Sequence, residues 1–149
     1  DDENGVLPGL DGQKMSKSYK NVIPVFTETD SLRKAVMKIK TNSKEPGEPK
    51  DTENCTIFKI YKSFSNSEEI NQLALKYKEG IAWGEAKEIL FQKLEDNLSG
   101  YKSEYTKIIG DRAHVEETLV LGSKKALEVS LPLIEQVRKA VGIKGFAKL

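Results

Sequence analysis

Lys14 and Lys17 stand three residues apart, with Ser16, Ser18 and the turn-forming Gly12 around them. Two ammonium groups beside hydroxyls and free backbone amides suit a triphosphate, because a lysine is a point charge on a flexible stem that follows oxygens as a bond breaks. Charge stabilised on a leaving pyrophosphate is a transition-state effect, the kind that raises a rate. A generic Lys-x-x-Lys among serines is more often a solvated surface loop, so the pair alone decides nothing.

Other reactive side chains are few. His114 is the only histidine and has no Cys or carboxylate at ligand spacing, which points to a helix start or polar surface rather than a metal site. Cys55 is the only cysteine, so no intramolecular disulfide forms; beside Ile57 it reads as a small buried hydrophobe in a reducing, cytosolic compartment. Trp83, next to Gly84, reads as an anchor packed against helices rather than a platform for a base. Tyr101 and Tyr105 alternate with Lys102 and Lys107, a mixture that suits an RNA base, but the apolar period through Leu94 and Leu98 assigns the tyrosines to a core.

The elements that must position these residues are helical. Residues 1–24 are rich in Gly, Pro, Asp and Asn and form a loop-rich leader closed by Pro24. Leu32, Ala35, Val36 and Ile39 predict a short amphipathic helix over Ser31–Lys40, with Asp30 as its N-cap. The segment Thr41–Asp51 holds two prolines and no large apolar residue and reads as an exposed connection. Cys55–Phe64 shows helical spacing, with a strand as rival because of its β-branched and aromatic content. Ser67, Glu68 and Glu69 open a capped helix with Ile70, Leu73, Leu75 and Tyr77 as its apolar set, ending at Gly80.

From Glu85 to Ile109, Ala86, Leu90, Leu94, Leu98, Tyr101, Tyr105 and Ile108 form one stripe and predict the longest helix, with Gly100 marking a bend or a close contact. A turn at Gly110-Asp111 leads to a helix over Val115–Leu121. A further helix over Ser123–Val141 carries Ala126, Leu127, Leu131, Ile134, Val137 and Val141 on one face, kinked at Pro132. The fold class is therefore all-α, a helical bundle behind a loop-rich leader.

Bulk properties narrow the function. The 149 residues suffice for one ordinary domain. With 24 Lys plus Arg against 23 Asp plus Glu, the net charge of +1 announces no nucleic-acid binder, so any RNA contact rests on local patches. No apolar stretch approaches the eighteen or so residues that span a bilayer, and Asp1-Asp2-Glu3 is unlike a signal peptide. The chain lacks an initiator Met and a strand-rich region large enough for a nucleotide-binding α/β domain, so it reads as a fragment.

The complete pentapeptide Lys14-Met15-Ser16-Lys17-Ser18 matches the KMSKS signature of class I aminoacyl-tRNA synthetases without substitution. The preceding Leu7-Pro8-Gly9-Leu10-Asp11-Gly12 resembles the leader of one bacterial tryptophanyl branch. Lys38-Ile39-Lys40-Thr41, Trp83-Gly84-Glu85-Ala86-Lys87 and Gly122-Ser123-Lys124-Lys125-Ala126 resemble the same family in the same order, so the resemblance runs along essentially the whole chain. Ala82, Trp83 and Ser123 depart from it, standing where the family tends to have Gly, Tyr and Ala.

This resemblance implies the C-terminal portion of a tryptophanyl-tRNA synthetase, which activates tryptophan with ATP, Mg2+ being the counter-ion, and transfers it to tRNA(Trp). Lys14 and Lys17 would contact ATP phosphates and stabilise the transition state, Ser16 and Ser18 would support the loop, and Met15 would lie near the adenine. Residues 1–26 would be a remnant of the catalytic domain and 27–149 a helical anticodon-binding domain. Lys107, Arg112, Lys124, Lys125 and Arg138 are its candidate tRNA contacts. No metal site on the protein is expected. The full-length enzyme would be a cytoplasmic homodimer, and its HIGH-type motif and tryptophan pocket would precede this chain, so the chain alone would neither form tryptophanyl-adenylate nor charge tRNA. Rival readings are a non-catalytic helical RNA-binding module and a tyrosine-specific relative. Gene sequence upstream of Asp1 tests the first, and the later tryptophanyl-like segments argue against the second.

Overall fold

A computed structural model describes residues 6–143. Among them the regular structure is five helices, with one isolated antiparallel bridge, Pro8 to Lys14, in the leader. The helices are α1 (Thr29–Met37), α2 (Thr56–Ser63), α3 (Ser67–Lys78), α4 (Trp83–Gly110) and α5 (Arg112–Ala140). The all-α expectation agrees with this, and none of the five is long and apolar enough to cross a membrane.

The chain divides into two compact units, residues 1–103 and 104–149, with the boundary inside α4. In the first unit the apolar periodicities become a core. Leu32 and Val36 of α1, Ile57 and Ile60 of α2, Leu73 and Tyr77 of α3, and Ala86, Leu90, Leu94 and Leu98 of α4 are buried together with Ile39 and Ile81. Cys55–Phe64 resolves as the helix α2: with four of its eight residues buried, helical burial outweighs β propensity.

Helix ends depart from expectation in their local chemistry. α1 starts two residues earlier than expected and its N-cap is Glu28, without a side-chain cap, so Asp30 lies in the first turn instead of capping it. α3 does open at Ser67, but the cap is Asn66 in a full capping box. Asn66 Oδ1 accepts from the Glu69 amide at 3.0 Å, and Glu69 Oε2 accepts from the Asn66 amide at 2.9 Å. Leu75, assigned to the apolar face of α3, is exposed: two residues from both Leu73 and Tyr77, it lies well off the buried stripe.

The connection after α1 is exposed at most positions but firmly attached. The Lys50 amide donates to the Tyr77 carbonyl at 2.8 Å, and Lys50 Nζ donates to the carbonyls of Glu45 and Glu48 at 2.9 and 3.2 Å. That ammonium lies 5.2 Å from the centroid of the Trp83 ring, which also meets Tyr77 edge-on at 5.9 Å. Trp83 is thus the anchor expected. Gly80, at φ +88°, accepts at its carbonyl from the Gly47 amide at 2.7 Å, and any Cβ there would run into the Gly47 backbone.

The second unit departs most from expectation. α5 is one continuous helix of 29 residues running through Gly122 and Pro132, so Val115–Leu121 and Ser123–Val141 are not separate helices. It is one residue longer than the 28-residue α4, so α4 is not the longest. None of its residues is buried, and Leu127, Leu131, Ile134, Val137 and Val141 are exposed. Tyr101, Tyr105 and Ile108 of α4 are exposed as well and belong to no core. The only other described helical segment of this unit is Glu104–Gly110, too short to cover the face of α5. A Cβ at Gly100 would meet nothing within 4 Å, so close packing is not its reason.

Candidate functional site

The signature loop is built on a tight turn. The Gly9 amide donates to the Gln13 carbonyl at 2.6 Å and the Gly12 amide to the Gly9 carbonyl at 2.9 Å, which brings Lys14 back beside Pro8. The Lys40 amide, just beyond α1, donates to the Leu10 carbonyl at 2.9 Å, tying this turn to the helical core. After the loop, the Tyr19 and Lys20 amides donate to the carbonyls of Ser16 and Lys17, both at 3.2 Å, and Lys20 has φ 53°. That left-handed conformation is uncommon for a residue with a side chain and turns the chain back toward the leader.

Lys14, Lys17 and Ser18 are exposed, and Met15 and Ser16 are half-buried. The two ammonium groups thus sit at the surface on a short turn. Beside them lies a cavity of about 410 Å³ lined by Asp11, Gly12, Gln13 and Lys14 of the leader and by Thr56 and Lys59 of α2, among others. Of the five loop residues Lys14 alone lines it. Lys59 faces the same space from an element 45 residues away, so no local pattern around it signals the pairing. An oxyanion entering there would meet lysines from two elements.

One buried polar residue organises the loop, and nothing in its sequence neighbourhood marks it. Asn21 is 3% exposed; its Oδ1 accepts from the Ser16 amide at 2.7 Å, and its Nδ2 donates to Asp11 Oδ1 at 2.8 Å and to the Lys14 carbonyl at 3.1 Å. Asp11 also accepts from the Gln13 amide at 3.1 Å. The Asn21 and Gln13 donors hold the Asp11 carboxyl below its ordinary range, as bonds to the charged form must. An Asn three residues beyond a Lys/Ser loop carries no spacing rule, so only its contacts reveal the role.

The tRNA candidates all fall in the second unit and are exposed. Lys107 is paired with Glu104 at 2.6 Å, while Arg112 opens α5. Lys124 and Arg138, fourteen residues apart on one helix, share a face roughly 21 Å long. His114 is exposed and its amide donates to the N-cap Asp111 at 3.1 Å. No group of three or more His, Cys, Asp or Glu suited to a metal ion occurs among the described residues.

Residues 3–103 match the family described as tRNA synthetases class I (W and Y). The tryptophan–tRNA ligase of Pseudomonas putida is 41% identical over 140 residues, covering 94% of this chain and 31% of that protein. That of Neisseria meningitidis serogroup A is 43% identical over 144 residues, covering 96% of this chain and 43% of that protein. The crystal structure of tryptophanyl-tRNA synthetase from Campylobacter jejuni complexed with ADP and tryptophan superposes with a TM-score of 0.82 at 33% identity, over 92% of this chain and 43% of that one. The chain therefore spans less than half the length of these relatives.

Proposed function

Since this chain belongs to the class I tRNA synthetases of the tryptophan and tyrosine group, we propose that it is part of a tryptophan–tRNA ligase, the enzyme that activates tryptophan with ATP and transfers it to tRNA(Trp). The observation that carries this reading is the intact Lys14-Met15-Ser16-Lys17-Ser18 loop, held at the surface of a helical unit with both ammonium groups exposed. In the proposed chemistry the tryptophan carboxylate attacks the α-phosphate of ATP, and pyrophosphate leaves. Lys14 and Lys17 hold the β- and γ-phosphates, with Mg2+ as counter-ion, and meet the charge that grows on the departing oxygens. Ser16 and Ser18 support the loop, and Met15 lies near the adenine. Residues 1–26 act with the catalytic half of the enzyme, and residues 27–149 serve the anticodon stem-loop of tRNA. The complete enzyme works in the cytoplasm as a homodimer.

The choice of tryptophan over tyrosine is favoured by the relatives, which at 41% and 43% identity are tryptophan–tRNA ligases. Amino-acid-dependent ATP–pyrophosphate exchange by the full-length protein carrying this sequence tests the reading. Exchange with tryptophan and not tyrosine is expected; exchange with tyrosine alone, or with neither, overturns it. The 149-residue chain by itself is expected to give none.

A further inference from the structure

The bonds of Asn21 to the signature loop are unequal along it. They reach Lys14 and Ser16, the residues on either side of Met15, and do not reach Lys17 or Ser18. The orientation of the carboxamide is fixed by its partners: the Lys14 carbonyl only accepts and the Ser16 amide only donates, so turning the group over breaks both bonds. At 3% exposure little water competes for these bonds.

The residue is itself clamped. Its carbonyl accepts from the Leu10 amide at 2.8 Å, and a Cβ at Gly9 would lie 2.7 Å from Asn21 Cγ, so the leader leaves the Asn21 side chain only this space. Through the Leu10 carbonyl and the Lys40 amide the clamp continues to the end of α1. The first half of the loop is therefore tied to the core, whereas Lys17 is held, among the described residues, by the 3.2 Å bond its carbonyl accepts from the Lys20 amide.

We infer that Asn21 is a positioning residue for phosphate chemistry at this loop: it fixes the backbone from which the Lys14 side chain reaches and leaves the Lys17 backbone freer to follow the leaving group. The inference rests on the proposed synthetase function. It assigns the two lysines different parts. Lys14 reaches from a backbone whose position is set before ATP arrives, and Lys17 reaches from the less restrained turn.

The test uses the full-length protein carrying this sequence. Asn21→Leu keeps the branched shape and removes all three side-chain bonds, while Asn21→Ala removes the same bonds without filling the space and serves as the second variant if Asn21→Leu folds poorly. Hydrogen exchange at the Ser16 amide is expected to quicken by at least about tenfold in Asn21→Leu. In pyrophosphate exchange, kcat is expected to fall by about 10²-fold with KM for ATP within about threefold, since a misplaced group acts on the transition state. Asn21→Ala should show the same split.

Double variants supply the decisive contrast. Combined with Lys14→Ala, Asn21→Ala should add no further loss, because it acts through Lys14; combined with Lys17→Ala, the two losses should multiply. An unchanged Ser16 amide in Asn21→Leu, an unchanged kcat, or losses that multiply equally with both lysines overturn the inference. If the parent shows no exchange although the Ser16 amide responds to the substitution, the proposed function has failed and the positioning role with it, while the bond from Asn21 to the loop itself stands.

Discussion

Lys14 and Lys17 share a pentapeptide but not a set of restraints, and at the residue scale this difference matters more than their shared charge. Lys14 lines the cavity that Lys59 also faces, and its carbonyl is held by Asn21; Lys17 lies on the exposed turn beyond. If both serve a leaving pyrophosphate, replacing either by Ala removes transition-state stabilisation. Single-turnover formation of tryptophanyl-adenylate by the full-length protein should then slow by about 10²- to 10³-fold for each. A loss confined to KM would show that the lysine only binds ATP. The loop lysines were legible in the sequence because five contiguous residues carry the signature. Asn21 and Lys59 were not, because their roles depend on burial and on an approach across 45 residues, neither of which leaves a local pattern.

At the scale of elements, the first unit depends on caps and ion pairs as well as on apolar stripes. The capping box of Asn66 and Glu69 satisfies amides that the start of α3 would otherwise leave open. Asn66→Ala should destabilise the protein by about 1 kcal/mol in urea unfolding. A midpoint equal to the parent's would show that the cap is idle. Glu69 also accepts from Lys93 of α4 at 2.6 Å, and Glu95 accepts from Lys102 at 2.5 Å and from Thr29 of α1 at 2.7 Å. Lys93 first, and then the Asn66 amide, lower the Glu69 carboxyl; Lys102 and then Thr29 lower Glu95. A carboxyl whose folded value is depressed contributes fully above its unfolded value, near about 4.3, and loses that contribution as pH falls through the lower folded value. Thermal midpoints should therefore be flat from neutral pH to about 5 and decline below about 4, with a shallower decline in Glu69→Gln. An equally steep decline in that variant would remove Glu69 from the explanation.

For the whole molecule, charge is the property that composition conceals. A net charge of +1 gives no general attraction to RNA, yet Lys124, Lys125 and Arg138 lie exposed on one helix, and Lys107 is engaged by Glu104. If α5 carries the tRNA contact, Lys124→Glu together with Lys125→Glu should weaken tRNA(Trp) binding and flatten its dependence on salt, by about 0.7 to 0.9 in log–log slope for each phosphate no longer neutralised. Filter binding at several salt concentrations measures this, and an unchanged affinity at low salt would exclude the pair. The same helix exposes Leu127, Leu131, Ile134 and Val137. Its apolar period is that of a buried helix, but periodicity records only which residues share a face and cannot say what covers it.

The sequence by itself determined the family, the helical class and the location of the signature loop, because a contiguous signature and the 3.6-residue apolar period are written locally along the chain. It also determined most of the core of the first unit from Leu32 to Leu98, although Leu75, read as part of it, is exposed. Tertiary structure alone decided that Asn66 and not Asp30 makes a side-chain cap, and that the stripe of α4 is buried to Leu98 but exposed at Tyr101 and Tyr105. It alone joined Asn21 to the loop and Lys59 to its cavity. The physical reason is common to all of these. Burial and hydrogen bonding depend on which groups distant in sequence come within a few ångströms, and a residue's type states what it can bond without stating what will be there.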